Sequence, residues 1–204
     1  MEQAAQQLNG NGRRHLDLYP TEERVTRAFL GVEDVGGVAA EPCAGPGLMA
    51  RVLTADGRFT SVITNDINRS YPTDYHADAA NWMAAIWREP VDWVITNPPF
   101  NVAHKILPLA MRAAQVGVAF LLRITYAEPA RNRGEWLDMH ADQMTRFMPL
   151  NPRPSFTGDG KTDSTTVAWF VWRKGWSWDA LGVARPFVFL KDWNVQPHEG
   201  GKIF

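Results

Sequence analysis

The sequence is poor in cysteine, in long apolar runs and in charge of one sign. Cys43 is the only cysteine among 204 residues, which excludes a disulfide framework and a zinc ribbon. There is no secretory leader and no apolar stretch of about 18 residues, so we expect a cytoplasmic protein without membrane contacts. The net charge of −1 excludes a global basic field, and binding of nucleic acid would need a local basic patch.

The five histidines show no ligand spacing, and no metal site is predicted. The length and composition are those of one globular domain. A polar start rich in Gln, Asn and Gly predicts a disordered N-terminal tail at residues 1–12. The main domain is expected at residues 13–174. Residues 175–204 carry several aromatic side chains and are expected to form a C-terminal extension that packs on this domain.

A glycine turn follows the first short apolar strand. Gly45-x-Gly47-x-x-Ala50 fits a nucleotide-binding pattern in which glycines let the backbone approach a ligand. Glu41 ends the strand, and a phosphate-binding turn would not want a carboxylate there. The carboxylate suits a cationic ligand instead, such as the ammonium group of an amino-acid moiety.

Two aspartates follow further strand and loop signals. Asp66 ends the second apolar strand about twenty residues after the glycine turn, where doubly wound folds carry the acid that accepts ribose hydroxyls. The alternative is an exposed loop aspartate. Asp78 can cap the next helix and can also accept a hydrogen bond from an adenine amino group, because its two oxygens can serve both roles.

The short β-branched run at residues 91–96 reads as a buried strand that stops at Asn97-Pro98-Pro99-Phe100. The two prolines stiffen an extended strand exit. An amide, free carbonyls and an aromatic ring then project from one strand end, which suits a flat substrate that carries an NH2 group. The alternative is that the prolines end a strand and Phe100 packs in the core.

The start of the first helix and several basic residues are further candidates. Thr21 is a candidate N-cap, and the mouth of its helix can meet a carboxylate or phosphate, although an ordinary capped helix explains it equally well. Arg123 ends a continuous apolar strand as an ion-pair partner or a phosphate contact. Arg131 and Arg133 form a small basic cluster that is either solvated surface or a contact with a nucleic-acid backbone. A long loop presents Arg153 and Lys161, and long loops in compact domains are often functional.

Strand signals alternate with helix signals, which predicts a mainly parallel sheet with helices on both faces. Ligands bind such sheets at the carboxyl ends of the strands. The glycine turn, Asp66, Asp78 and the Asn-Pro-Pro-Phe segment all fall at that edge. Their coincidence is a stronger indication than any one of them.

In this order, Glu41-Pro-Cys-Ala-Gly-x-Gly47, Asp66, Asp78 and Asn97-Pro-Pro-Phe100 resemble the motifs of S-adenosylmethionine-dependent amino-methyltransferases. More narrowly, residues 16–174 resemble small phage and prophage DNA adenine-N6 methyltransferases. The resemblance implies an α/β fold: a single-domain Rossmann-like class I methyltransferase with a mostly parallel seven-stranded sheet and helices on both faces. The chain departs from the family at Glu22, which stands where a second proline is usual.

The resemblance also assigns roles to residues. The cofactor, S-adenosyl-L-methionine, would contact Tyr19, Thr21, Glu41, Pro42, Ala44, Gly45, Gly47, Asp66, Ile67 and Asp78. The catalytic segment would be Asn97, Pro98, Pro99 and Phe100. DNA would contact Arg123, Arg131, Arg133, Arg153, Phe156 and Lys161, with Phe156 as the second face of the base pocket.

The implied activity is methyl transfer to the N6 amine of adenine in double-stranded DNA, at specific or relaxed target sites, with the base flipped out of the duplex. Three alternatives remain open at the level of sequence. The acceptor could be an RNA base amine or a protein glutamine amide, because both pose the same chemical problem. The chain could also be a non-catalytic cofactor-binding module of a larger assembly.

Overall fold

The computed structural model describes residues 20–86, 90–128, 133–151 and 166–186. Strands and helices alternate through most of this part, as the sequence predicts. The strands are β1 (Gly37–Glu41), β2 (Phe59–Thr64), β3 (Trp93–Thr96), β4 (Gly117–Arg123), β5 (Met144–Pro149) and β6 (Val167–Arg173). The helices are α1 (Glu23–Leu30), α2 (Leu48–Ala55), α3 (Ala79–Ala85), α4 (Ala103–Ala113) and α5 (Gly134–Met139).

The strands form one sheet in the order β2-β1-β3-β4-β6-β5. β2, β1, β3 and β4 run parallel, while β6 is antiparallel to both of its neighbours. The mostly parallel α/β sheet is therefore confirmed. The described residues contain six strands, however, and not the seven that were expected.

The free edge of β2 carries no further regular strand in the described residues. Beyond this strand, only an isolated parallel bridge pairs Asn65 with Tyr75. The Asp74 carboxylate accepts the backbone N–H of Thr64 at 2.8 Å, and the Asn68 side chain accepts the N–H of Ser70 at 3.0 Å. Such side-chain bonds to the backbone compete with a strand ladder. They leave the loop between β2 and α3 without a regular strand.

Helices cover both faces of the sheet because successive strand residues point to opposite sides. Along β4, Val118 and Phe120 pack with α3 and α4, whereas Ala119 and Leu121 pack with α1 and α2. Almost every residue of β4 and β6 is buried, as expected for strands covered on two faces.

The C-terminal extension contacts the domain in its described part, residues 175–186. The indole N–H of Trp178 donates to the carbonyl oxygen of Met144 at 2.9 Å, and the hydroxyl of Ser177 donates to the carboxylate of Asp142 at 2.5 Å. The predicted N-terminal tail lies outside the described residues. None of the helices in the described ranges is long and apolar enough to cross a bilayer.

Candidate active site

A cavity of about 500 Å³ opens at the carboxyl ends of β1, β2 and β3, within the range of small-molecule sites. Sequence reasoning assigned many of its lining residues to one site, and the fold brings them together although they are distant in the chain. These are Thr21, Glu41, Pro42, Ala44, Gly45, Asp66, Ile67, Asp78, Asn97, Pro98, Pro99 and Phe100. Gly47 is not among the lining residues.

The glycine turn after β1 depends on two residues with left-handed backbone. Gly45 has φ of 53° and Gly47 has φ of 79°, a region that other L-residues rarely adopt. A Cβ at either position would meet no atom within 4 Å, so the space beside the turn is open. Gly47 is the N-cap residue of α2, and Gly45 borders the cavity. The turn therefore leaves backbone accessible to a ligand.

Glu41 presents an unsatisfied carboxylate oxygen at the base of the cavity. Its side chain is 2% exposed, and its Oε2 has no hydrogen-bond partner among the described residues. Burial raises the pKa of this carboxyl well above its usual range, and the nearby Asp66 carboxylate raises it further, although a backbone hydrogen bond from Ala50 opposes both. A cationic group in the cavity would neutralise the ionised carboxylate of Glu41 and donate the hydrogen bond that its Oε2 lacks.

Asp66 and Asp78 also line this cavity. The two oxygens of Asp66 accept the backbone N–H groups of Gly45 and Asn68, each at 2.8 Å. Each carboxylate oxygen can accept a second bond, so this geometry is compatible with ribose hydroxyls. Asp78 caps α3 by accepting the N–H of Asn81 at 3.0 Å, which confirms its predicted cap. Its contact with adenine stays a prediction.

Asn97 leaves the end of β3 and bonds back to the start of α1. Its Nδ2 donates to the hydroxyl oxygen of Thr21 at 3.0 Å, across 76 residues of sequence. The interpretation of Thr21 as an N-cap is wrong, because Glu22 holds that position and makes no side-chain cap. The buried Thr21 hydroxyl instead orients the Asn97 amide and directs its oxygen away from Thr21.

Phe100 is half-buried at the cavity and carries a basic partner. The guanidinium carbon of Arg123 lies 4.7 Å from the centre of the Phe100 ring, a cation–π geometry. The Nε of Arg123 is buried without a hydrogen-bond partner in the described part of the chain. Both alternatives for Arg123, an ion pair or a phosphate contact, omitted this ring. Its contact with DNA stays a prediction.

Arg133 is engaged within the chain. Its guanidinium donates to the carbonyl oxygens of Tyr126 and Thr125 at 2.8 and 3.0 Å, and it lies 5.3 Å from the Tyr126 ring centre. The side chain thus binds the backbone of the 3-10 turn after β4. Its contact with DNA stays a prediction. The other predicted site residues lie outside the described residues: Tyr19, Arg131, Arg153, Phe156 and Lys161.

Cys43 lines the cavity but is not a nucleophile. Burial raises the pKa of its thiol far above the usual value, and the carboxylates of Asp66 and Glu41 raise it further. The thiolate is the reactive form of cysteine, and here it is strongly disfavoured. The cavity therefore offers an orienting amide and carboxylates for chemistry, with no activated cysteine.

Sequence reasoning missed two residues of the site. Lys105, in the first turn of α4, brings an exposed cation to the cavity. Asn65, at the end of β2, is fully buried and bonds to two segments that border the cavity. The signal for Lys105 was its position five residues after Phe100, at the start of a helix on the ligand edge. The only sequence signal for Asn65 was a polar residue within an apolar strand pattern.

No protein-family model matches the sequence, and no curated protein matches it. Solved structures do share the fold. A protein described as a class I S-adenosylmethionine-dependent methyltransferase, from Listeria monocytogenes, is 11% identical with a TM-score of 0.53, over 76% of this chain and 61% of that one. The methyltransferase subunit of a type I restriction-modification system from Streptococcus thermophilus is 15% identical with a TM-score of 0.52, over 75% and 43%.

An O-methyltransferase from Bacillus cereus, in complex with SAH, is 11% identical with a TM-score of 0.52, over 78% of this chain and 83% of that one. The chain thus spans less than two thirds of the Listeria protein and less than half of the restriction-modification subunit. The fold is that of the class I methyltransferases, a Rossmann-like α/β sheet, and this expectation is confirmed.

Proposed function

We propose that the chain is an S-adenosylmethionine-dependent methyltransferase whose acceptor is the N6 amine of adenine in DNA. One observation carries the proposal: Asn97-Pro98-Pro99-Phe100 and the carboxylates of Glu41, Asp66 and Asp78 line one cavity. A group that recognises an amine therefore borders a site with acceptors for an ammonium, a ribose and an amino group.

The residues of the cavity fit this cofactor. The unpartnered Oε2 of Glu41 suits the ammonium of a methionine moiety, and the open side of Gly45 suits a close ligand. Asp66 would accept the ribose hydroxyls, while Asp78 and the exposed Ile67 would contact the adenine. When bound, the cofactor supplies a methyl group on a positively charged sulfur.

Asn97 would act on the acceptor amine as an orienting group. An exocyclic amine is a weak nucleophile because its lone pair is delocalised into the ring. The Asn97 side-chain oxygen and the Pro98 carbonyl oxygen can each accept one of its N–H groups and draw the nitrogen towards tetrahedral geometry. Thr21 holds the amide from its other end, which pre-organises the acceptor. The nitrogen that accepts the methyl group would then release one proton to water.

Phe100 would stack on the target base. Base stacking on an aromatic ring contributes about 1–3 kcal/mol and offsets part of the cost of flipping an adenine out of a duplex. Arg123 already packs at 4.7 Å from this ring, which restricts its movement. A ring that is fixed before binding loses less conformational entropy when the base arrives.

Basic side chains at and near the cavity are candidate contacts for an anionic acceptor. Lys105 lines the cavity together with three carboxylates, and Arg123 packs on the Phe100 ring. The charges of Lys105 and Arg133 add to burial in lowering the pKa of His104, so both lie near this residue of α4. A local basic patch is what a chain of net charge −1 would need to hold a nucleic-acid backbone.

A similar fold in a methyltransferase subunit of a restriction-modification system supports DNA as the acceptor, together with the motif resemblance. An RNA amine and a protein glutamine amide remain outcomes of the test. Purified chain would be incubated with methyl-labelled cofactor and equal masses of plasmid DNA, total RNA and protein extract, followed by mass spectrometry of the digested products. The proposal expects label in N6-methyladenine from DNA. Label confined to RNA or glutamine, or no transfer at all, would overturn it.

A further inference from the structure

Asn65, between β2 and Asp66, is an asparagine with 0% exposed surface. Its side chain makes three hydrogen bonds, each of 3.0 Å. Nδ2 donates to the carbonyl oxygens of Pro42 and Ala77, and Oδ1 accepts the backbone N–H of Ala77. The amide thus uses both donors and its acceptor, which is uncommon for a single side chain and costly to disturb when buried.

The backbone of Asn65 adds two bonds to the segment after β1. Its N–H donates to the carbonyl oxygen of Glu41 at 2.9 Å, and its carbonyl oxygen accepts the N–H of Ala44 at 3.0 Å. One residue is therefore bonded to three positions of the glycine turn, at residues 41, 42 and 44, and to the residue that precedes Asp78.

The side chain of Asn65 pairs with the backbone of Ala77. Ala77 exchanges both its N–H and its carbonyl oxygen with one amide, as a residue does with its partner in a hydrogen-bonded strand pair. Tyr75 bridges to Asn65 through the backbone, and no regular strand continues from there in the described loop. The amide thus bonds the segment before Asp78 to the end of β2.

We propose that Asn65 is a positioning residue for the cofactor. It fixes the separation between Glu41, which suits the methionine end, and Asp78, which suits the adenine end. The inference rests on the cofactor of the proposed function and is independent of the methyl acceptor. Asn65 does not line the cavity, so it acts through the segments that it joins.

Only a side-chain amide of the length of asparagine can make these three hydrogen bonds. Aspartate has the same shape but no N–H, so it would turn acceptors towards the carbonyl oxygens of Pro42 and Ala77. It would also add a buried carboxylate near Glu41 and Asp66. Alanine would leave those groups without partners. Both substitutions release the two ends of the cavity from each other.

The test compares a ligand that spans the methionine and adenine ends of the cavity with a ligand that reaches only the adenine end. S-adenosylhomocysteine and 5′-methylthioadenosine would be titrated calorimetrically into the full chain and into its Asn65→Asp and Asn65→Ala variants. We expect Kd for S-adenosylhomocysteine to rise about tenfold or more, because the bonds that hold both ends are lost. Kd for 5′-methylthioadenosine should rise less. Equal losses for both ligands, or Kd values close to those of the unaltered chain, would overturn the inference.

Val35→Ala provides the control, since Val35 is a buried residue ahead of β1 that does not border the cavity. It should lower Tm while leaving both Kd values unchanged. If the Asn65 variants do not fold, amide exchange in the unaltered chain decides. Slow exchange of the Ala77 N–H, slower still with S-adenosylhomocysteine, supports the positioning role of Asn65. Exchange at the rate of an open loop contradicts it. A chain that binds no S-adenosylhomocysteine would overturn the proposed cofactor as well, whereas normal binding without DNA methylation would overturn only the acceptor.

Discussion

The contact between Asn97 and Thr21 joins two motifs that lie 76 residues apart. An asparagine amide can turn either end towards a substrate, and only the oxygen accepts hydrogen bonds. By accepting from Nδ2, the Thr21 hydroxyl selects one of these orientations. The residue that resembled a helix cap thus has a part in the chemistry of the strand end.

Removing the Thr21 hydroxyl should slow methyl transfer. Thr21→Val keeps the size of the side chain but loses the acceptor for Asn97, so the amide can turn. The loss of one hydrogen bond of about 1 kcal/mol predicts a fall in kcat of about fivefold to tenfold. Steady-state kinetics would measure it, with Thr21→Ser as the variant that retains the hydroxyl. A normal kcat in Thr21→Val would contradict the orienting role.

Glu41 should make cofactor binding depend on pH. Its raised pKa keeps the carboxyl protonated above the usual 4.5 in the free protein. An ammonium ligand favours the ionised form, so binding releases a proton, and affinity rises as pH climbs from that usual value through the raised pKa.

The measurement is the Kd of S-adenosylhomocysteine across this pH range, in the unaltered chain and in Glu41→Gln. The neutral variant should bind about tenfold to a hundredfold more weakly, as expected for the loss of a charge-assisted hydrogen bond. Its affinity should lose the rise with pH. If the same rise persists in Glu41→Gln, another group is responsible for it.

Among the elements, β4 and β6 pair along their whole lengths in the interior of the sheet. At Gly117, the first residue of β4, an added Cβ would stand 2.3 Å from the carbonyl oxygen of Trp172 and 3.0 Å from the ring of Trp93. The antiparallel ladder leaves no room for even a methyl group there. This glycine is required by a close approach between strands and not by its backbone angles.

Gly117→Ala should therefore destabilise the fold. Overpacking of a buried site costs about 1–3 kcal/mol, which corresponds to a fall in Tm of about 2–10 °C for a domain of this size. Thermal unfolding followed by circular dichroism would measure it. Gly57→Ala is the matched control, because a Cβ at Gly57 meets no atom within 4 Å. Equal Tm values for the two variants would show that Gly117 has more free space than the structure indicates.

Local sequence patterns predicted the strands and helices better than they predicted the contacts between them. The apolar run before Arg123 marked a buried strand, and the residues before Asn97 marked another, because burial on two faces leaves a signal in the sequence itself. The seven strands that the family resemblance implied are six in the described residues, and the bond of the Asn65 side chain to Ala77 was not predicted. A bond from a side chain to a residue twelve positions away has no sequence period to reveal it.

The same limit applied to the site. Strand ends of a parallel sheet share one edge, so Glu41, Asp66 and Asn97 could be grouped from the sequence. The stacking of Arg123 on Phe100 could not, because it depends on the relative height of two neighbouring strands. Position along the chain predicts which residues reach an edge, and packing decides which of them touch.

On the scale of the whole molecule, basic side chains stand at both edges of the sheet. Lys105 lines the cavity at the carboxyl ends of the parallel strands, together with three carboxylates. Lys174, in contrast, follows β6 at the opposite edge, where its Nζ donates to the carbonyl oxygen of Arg112. A net charge near zero thus conceals a local basic side on which DNA could bind.

DNA affinity should fall steeply with salt, because each neutralised phosphate releases bound counterions with a slope of about −0.9 in a log–log plot. Lys105→Gln should reduce the magnitude of this slope by about one. Fluorescence anisotropy of a labelled duplex at several salt concentrations would measure it. Lys174→Gln is the control and should leave the slope unchanged. Binding that is independent of salt would remove the argument for phosphate contacts on this side of the molecule.

The central claim is that Asn97 orients an acceptor amine beside a bound cofactor, and single-turnover methyl transfer to plasmid DNA by Asn97→Ala tests it most directly. The reaction would be read as N6-methyladenine, alongside the Kd of S-adenosylhomocysteine for the same preparation. We expect methyl transfer to fall by about a hundredfold or more, the usual effect of removing an orienting transition-state contact, while Kd stays unchanged. A variant that methylates DNA at the normal rate would contradict the account.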